Sequence, residues 1–313
     1  MIAVLAGRGG AGASVFATAL AQAAAESLLV DGDPWGGGLD LVLGNEAEPG
    51  LRWPDLSLAG GRLSYPALRD ALPRCRGVGV LSGSRVLSED AASNHIGSSA
   101  LAAVIDAGSR AGVPVVCDVA RQPTATAETA LAAADLVVVV TTADVRSCAA
   151  AAATARWASA GNPNTGVVVR GPSPGGLRSV DVARIVGFPV LASMRPEPGL
   201  APRLERGGLV LRRRSPLAAA VRAVLGISQP EPASGASDGI RGMNTPLVDR
   251  VRERLAAERA PLRPSVVAAA IRAESGGVLG DTEVLSSLRE LQTELVGAGI
   301  LEPLCAPGPP TYS

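Results

Sequence analysis

Short, wholly apolar segments that alternate with alanine-rich segments are the feature that most restricts the fold of this chain. The apolar segments are rich in valine and leucine and show no polar alternation, so both of their faces are expected to be buried. Buried strands separated by helices are typical of a parallel sheet covered on both sides. We therefore predict an α/β, doubly wound, mostly parallel sheet. Its strands are expected at 2–6, 28–30, 78–81, 113–118, 136–141, 166–170 and 189–191, and helices at about 14–26, 100–107, 125–133 and 145–158.

The composition changes after residue 227. Residues 228–242 read SQPEPASGASDGIRG and lack apolar periodicity, which is typical of a flexible linker. Residues 243–305 have the helical spacing and capping residues of a small all-helical module, and 306–313 are disordered in character. The sequence thus predicts a nucleotide-binding domain at 1–227, a linker, a helical module and a tail.

The overall composition makes several functions less favoured. The chain has 29 basic and 29 acidic residues, so its neutral formal charge does not favour nucleic acid as a partner. No apolar run reaches the ~18 residues of a membrane span. The four cysteines show no metal-binding spacing, and we find no signal peptide, so we expect reduced thiols and a cytoplasmic location.

A glycine-rich loop lies between the first predicted strand and the first predicted helix. Strand–loop–helix context is what a phosphate-binding loop requires, because its backbone N–H groups and the helix N-terminus converge on phosphate oxygens. Ser14 is placed to bind Mg²⁺. The alternative is a tight turn that binds no ligand. Four glycines within six positions favour the phosphate-binding loop over that alternative. The loop matches GxxxxGK[ST] except at its seventh position: Gly7, Arg8, Gly9, Gly10, Ala11, Gly12, Ala13, Ser14.

The mismatch in this loop is Ala13, which stands where a phosphate-binding lysine belongs. All 29 basic residues of the chain are arginines, so no lysine is available at any site. Loss of one charge-assisted hydrogen bond is expected to weaken nucleotide binding about 10- to 100-fold. Hydrolysis is expected to suffer more, because phosphoryl transfer depends on cations that stabilise the developing charge.

Three carboxylates follow predicted strands. Asp31 and Asp33 end the second strand and Asp118 ends a later one. Ligands of open α/β sheets bind at the carboxyl ends of strands, and hydrated Mg²⁺ needs one or two carboxylates there. A lone strand-end aspartate is commonly a solvated turn residue, but three beside a phosphate loop favour a functional site.

These motifs carry a resemblance to a known family. The segments GRGGAGAS, LLVDGDPWGGGLDLVLG and CDVARQ resemble the MinD/ParA superfamily of deviant Walker ATPases, which are P-loop NTPases. More narrowly, GGGLDLVLG, GLRWPDL and GRLSYPALRDALPR are similar to CpaE/TadZ-type septum-site or pilus-assembly localisation proteins. Segments of the C-terminal module resemble the N-terminal helical region of TadA/CpaF-type secretion ATPases.

The resemblance implies roles for individual residues. It implies ATP and Mg²⁺ as ligands, with Ser14, Asp31 and Asp118 at the metal and Asp33 positioning the attacking water. Arg8 stands at the signature lysine that reaches across a nucleotide-bound dimer, so it is a candidate catalytic residue; a solvated loop arginine is the alternative. Arg170 stands where relatives have a base-contacting asparagine.

Our leading hypothesis is a positioning protein whose dimerisation depends on ATP and whose hydrolysis is weak or absent. The expected partners are a second copy and a Tad/CpaF-type secretion ATPase or components of the division machinery. The alternatives are a hydrolysing ParA-like ATPase that uses Arg8, a small-molecule ligase and a nucleotide-free scaffold. Residues 212–225 suggest either a weak peripheral membrane contact or a helix packed on the sheet. Trp35 and Trp53 are expected to pack the loops after the second strand.

Overall fold

The computed structural model describes residues 1–57, 62–84 and 96–228. The chain divides into two units, Met1–Gln229 and Pro230–Ser313. The predicted linker from residue 229 onward, the helical module at 243–305 and the tail at 306–313 lie outside the described residues. Their assignments therefore stay predictions, and the architecture below is that of the first unit.

The described part of this unit contains one eight-stranded sheet. Its strand order is β3-β4-β2-β5-β1-β6-β7-β8, and every pairing is parallel except that of β3 with β4. The first strand along the chain thus lies at the centre of the sheet. The strands are β1 Ile2–Ala6, β2 Ser27–Gly32, β3 Arg74–Cys75, β4 Val78–Leu81, β5 Val115–Val119, β6 Leu136–Thr142, β7 Thr165–Arg170 and β8 Val190–Met194.

Helices cover both faces of the sheet, as expected when parallel strands are joined by crossover connections. A 3₁₀ turn at Trp53–Asp55 lies in the long connection after β2. The helices are α1 Ala13–Gln22, α2 Leu39–Leu43, α3 Tyr65–Ala71, α4 Ser98–Arg110, α5 Ala125–Ala132, α6 Val145–Gly161, α7 Ser179–Val186, α8 Leu200–Gly207 and α9 Pro216–Ser228.

The central strand shows how successive residues build two separate cores. Val4 joins a cluster with Phe16 of α1 and Val221 of α9 on one face. Its neighbour Leu5 joins a cluster with Leu101 of α4 on the other. All five side chains are buried, because alternate residues of a strand point to opposite faces and both faces carry helices.

The predicted fold class and all seven predicted strands are confirmed, with ends that differ by a few residues. The sequence missed β3, which is only two residues long and lies at the sheet edge with an exposed Arg74. It also missed the short helices α2, α3, α7 and α8, whose five to eight residues give too few turns for a periodic signal.

The apolar side of α9 is part of the core. Leu217, Val221 and Val224 are each at most 2% exposed and pack with α1 and the sheet. The stripe that suggested a membrane contact is therefore covered by protein, which agrees with the packing alternative. In the described ranges, no helix is both long enough and apolar enough to cross a bilayer.

Candidate functional site

The glycine loop turns from the central strand β1 directly into α1. Gly10 and Gly12 have φ angles of 76° and 101°, which side chains with a Cβ adopt only with strain. No side chain caps α1 at its N-cap, Gly12. The first N–H groups of the helix are thus left for an external acceptor, and the positive end of the helix dipole favours an anion there.

The loop is held close to α6. Gly7 donates its N–H to the carbonyl of Val140 at 2.8 Å. A Cβ on Gly7 would lie 2.7 Å from the Cβ of Ala151, closer than side-chain carbons pack, and 3.4 Å from that of Thr141. The glycine at this position is therefore needed for packing, whereas a Cβ on Gly9 would meet no atom within 4 Å.

Ala13 is the first residue of α1, and its side chain is 6% exposed. Its methyl group packs in the core with the side chain of Phe16. The next residue, Ser14, is half-buried, and its hydroxyl hydrogen-bonds to the carboxyl of Asp118. The helix thus places a hydroxyl beside the carboxyl but offers no cation of its own at its N-terminus.

Asp31 and Asp118 are neighbours on two adjacent strands of the sheet. They lie in register on the adjacent strands β2 and β5, and both are buried. Burial raises the pKa of Asp31 to about 7, against hydrogen bonds from the N–H groups of Leu39 and Asp33. Burial likewise raises the pKa of Asp118 to about 8, against the hydrogen bond from Ser14.

These buried carboxyls fit a divalent cation. Among the described residues, no arginine lies within salt-bridge distance of Asp31 or Asp118. Buried carboxylates without a counter-charge are costly, and a bound cation would supply that charge. The described residues include no cluster of three or more His, Cys, Asp or Glu side chains suited to a metal. A site of two carboxyls and the Ser14 hydroxyl suits Mg²⁺, which keeps several waters and binds substrate phosphates.

Asp33 lies in the loop just beyond β2 and is partly exposed. Its Oδ1 accepts a hydrogen bond from the N–H of Trp35 at 3.0 Å, and its carbonyl accepts one from Gly36 at 3.0 Å. A small cavity that also borders Asp31 lies next to it. The loop therefore holds Asp33 near the buried pair, although Asp33 itself is outside the sheet.

The two tryptophans of this region differ. Trp53 is 6% exposed and donates its indole N–H to the backbone carbonyl of Asp31 at 2.7 Å, so it fixes the end of β2 as expected. Trp35 is 82% exposed. The prediction that it packs its loop is wrong, because most of its side chain is exposed to solvent.

Arg8 points towards the start of α6. Its Nη1 lies 3.4 Å from the Ser147 hydroxyl and 4.0 Å from the Asp144 carboxylate, and 45% of its side chain is exposed. Asp144 caps α6 and accepts hydrogen bonds from Ser147 and Thr142, which lower its pKa to about 2. The sequence did not single out this anionic cap, although an aspartate before a helix is a recognisable signal.

Arg170 is the last residue of β7 and lies next to the loop. Its Nη2 donates to the carbonyl of Gly10 at 3.1 Å, and its Nη1 lies 3.9 Å from where a Cβ on Gly12 would be. Its Nε is buried and has no partner among the described residues. The guanidinium therefore lies beside the N-terminus of α1, a contact that the sequence did not predict.

Comparison with curated proteins finds two similar proteins of Mycobacterium tuberculosis. Uncharacterized protein Rv3660c of strain H37Rv and uncharacterized protein MT3760 of strain CDC 1551 are each 60% identical over 227 residues. The match covers 72% of this chain and 63% of each relative, so the chain spans less than two thirds of their length. No protein-family model matches the chain.

A second, short similarity concerns a different protein of the same bacterium. The chain is 82% identical over 27 residues to "Putative conjugal transfer protein Rv3659c" of strain H37Rv. That match covers 9% of this chain and 8% of the other. The chain is therefore similar to two different proteins of this bacterium, over 227 residues to one and over 27 residues to the other.

Three solved structures share the architecture. A ParA family ATPase from Chlorobium tepidum superposes with a TM-score of 0.60 at 19% identity, over 71% of this chain and 98% of that one. A chain of the MinC:MinD cell division protein complex of Aquifex aeolicus gives a TM-score of 0.57 at 21% identity, over 74% of this chain and 98% of that one. The septum site-determining MinD of Pyrococcus horikoshii with Mg-ADP gives 0.53 at 17%, over 73% and 99%. The eight-stranded unit described here therefore has the fold of the MinD and ParA ATPases.

Proposed function

We propose that this chain is a nucleotide-binding positioning protein of the MinD/ParA type. It binds ATP with Mg²⁺, dimerises when the nucleotide is bound, and hydrolyses it weakly or not at all. The observation that carries the proposal is the glycine loop: it opens α1 without a side-chain cap and lies beside the in-register carboxyls Asp31 and Asp118. A phosphate cradle next to two carboxyls is the arrangement that a magnesium nucleotide needs.

Weak hydrolysis follows from the cations that the loop lacks. Ala13 provides no charge, so the cationic side chain that would assist Mg²⁺ and the backbone N–H groups at the phosphates is missing from this position. Catalysis requires a cation placed for the charge that develops as the phosphoryl group leaves. A protein that binds ATP without turning it over uses the nucleotide to favour one assembly state.

The partners are a second copy and a secretion or transfer apparatus in the cytoplasm. The short similarity to a conjugal transfer protein supports the second of these. The preferred partner in such an apparatus is a Tad/CpaF-type secretion ATPase. Components of the division machinery are the other candidate partners.

A hydrolysing ATPase is the second candidate, and the position of Arg8 favours it. Its side chain is 45% exposed and its contacts to Ser147 and Asp144 are long, so it is free to reach a nucleotide across a dimer. In that case the arginine would act as a finger, a role that raises turnover by orders of magnitude.

Titration calorimetry with Mg-ATP and Mg-ADP, alongside sedimentation velocity, tests the proposal. We expect both nucleotides to bind and only Mg-ATP to shift the protein to a dimer. Absence of binding would overturn the proposal in favour of a scaffold, and binding without dimerisation would favour a ligase. Turnover at rates ordinary for such ATPases, lost in Arg8→Ala, would establish the second candidate.

A further inference from the structure

The chain must supply any phosphate-binding cation from an arginine, because it contains no lysine. Two arginines of the described structure lie at the glycine loop and have different contacts. Arg8 is directed towards the anionic cap of α6, at Ser147 and Asp144. Arg170 is directed to the loop itself and contacts the carbonyl of Gly10.

The hydrogen bonding of Arg170 is incomplete. One Nη donates to Gly10 at 3.1 Å, and the other lies 3.9 Å from the position of a Cβ on Gly12, at the start of α1. Its Nε is buried without a partner, and no carboxylate of the described residues lies within salt-bridge distance of the guanidinium. The Nη1 next to the start of α1 makes no hydrogen bond to the described residues, and a phosphate oxygen is an acceptor of the required charge for it.

We propose that Arg170 replaces the missing loop lysine by binding the phosphate chain of the nucleotide. This inference rests on the proposed nucleotide-binding function and assigns the cation of that site. The guanidinium lies beside the uncapped N-terminus of α1, so helix dipole and fixed charge act on the same anion. Arg170 is then a phosphate-binding residue. The end of β7 would thus contact the phosphates of the nucleotide and not its base.

The site accordingly recognises a nucleoside di- or triphosphate chiefly through its phosphates. Magnesium pyrophosphate should therefore compete for it, and ADP and GDP should differ little in affinity. If Arg170 instead contacted the base, its removal would change the ratio of ADP to GDP affinity and leave pyrophosphate unaffected.

Equilibrium binding by the whole chain tests this role. Arg170→Met is expected to weaken Mg-ADP and Mg-pyrophosphate about 10- to 100-fold, with an unchanged ADP:GDP ratio. Arg170→Lys should restore part of the loss, since it keeps the charge but not the planar fork. Arg156→Met, at an exposed arginine of α6 outside the site, is the matched control and should bind as the wild type does.

The outcomes separate this inference from the proposed function. A wild-type protein that binds no nucleotide overturns both. Wild-type binding with undiminished affinity in Arg170→Met overturns only the role of Arg170, and tighter binding would identify the Gly10 contact as an inhibitory latch. Arg170→Gln provides a second neutral variant, and circular dichroism with urea unfolding establishes that each variant is folded.

Discussion

At the scale of single residues, the buried carboxyls Asp31 and Asp118 make the stability of the metal-free protein depend on pH. Their pKa values of about 7 and about 8 in the folded state exceed the ~3.9 of an aspartate in an unfolded chain. The folded protein therefore binds protons more tightly than the unfolded chain. The contribution of these two carboxyls to the free energy of unfolding is therefore largest below about pH 4, and it is lost as the pH rises from about 4 to about 8.

Asp118→Asn tests this dependence, because the amide keeps the shape of the side chain without a charge. In EDTA we expect the variant to lose less stability than the wild type between about pH 5 and pH 8. Urea unfolding at the two pH values measures this difference. Equal losses in the two proteins would contradict the prediction. Added Mg²⁺ and nucleotide should stabilise the wild type at the higher pH more than the variant.

The residue scale also shows how far sequence reasoning reaches. Asp31 and Asp118 were predictable as neighbours, because strand ends of a parallel sheet meet at one edge. The contact of Arg170 with Gly10 was not, because 160 residues separate them and only the pairing order of β1, β6 and β7 brings them together. The exposure of Trp35 was not predictable either, because burial of a loop side chain depends on which distant residues come near the loop.

At the scale of elements, the glycine loop keeps its shape by close packing against α6. Gly7→Ala would place a methyl group 2.7 Å from the Cβ of Ala151, so loop and helix must move apart. We expect a loss of about 1–3 kcal/mol in the free energy of unfolding. Gly9→Ala is the matched control: its φ is not left-handed and its Cβ would meet no atom within 4 Å, so its stability should stay close to that of the wild type.

Urea unfolding of the two glycine variants measures the difference. Similar stabilities for Gly7→Ala and Gly9→Ala would show that α6 yields to the added methyl group and that the packing is not tight. The loop motif itself was predictable from spacing. The identity of the element that packs on Gly7 was not, because α6 follows the loop by more than 130 residues.

At the scale of the whole molecule, the last helix completes the core of the unit. Leu217 is 2% exposed and packs with α1 and β-strand residues of the central sheet. Leu217→Ala is expected to lower the free energy of unfolding by about 2–5 kcal/mol, through lost burial and a residual cavity. Val210→Ala, at a side chain that is 43% exposed, should cost far less.

Urea unfolding and vesicle sedimentation together check this assignment. Unchanged stability in Leu217→Ala, with lost binding to anionic vesicles, would show that α9 leaves the core for a membrane surface. The two readings of residues 212–225 were equivalent in sequence, since an apolar stripe facing a core has the same spacing as one facing lipid.

The sequence by itself determined the fold class, seven of the eight described strands and the glycine loop between β1 and α1, because these depend on local apolar runs and on glycine spacing along the chain. It also determined that no lysine could serve the site. The tertiary structure decided which arginine faces the loop, which tryptophan is buried and where the stripe of α9 is directed. Those outcomes depend on which distant strands and helices become neighbours, and short-range patterns carry no record of that pairing.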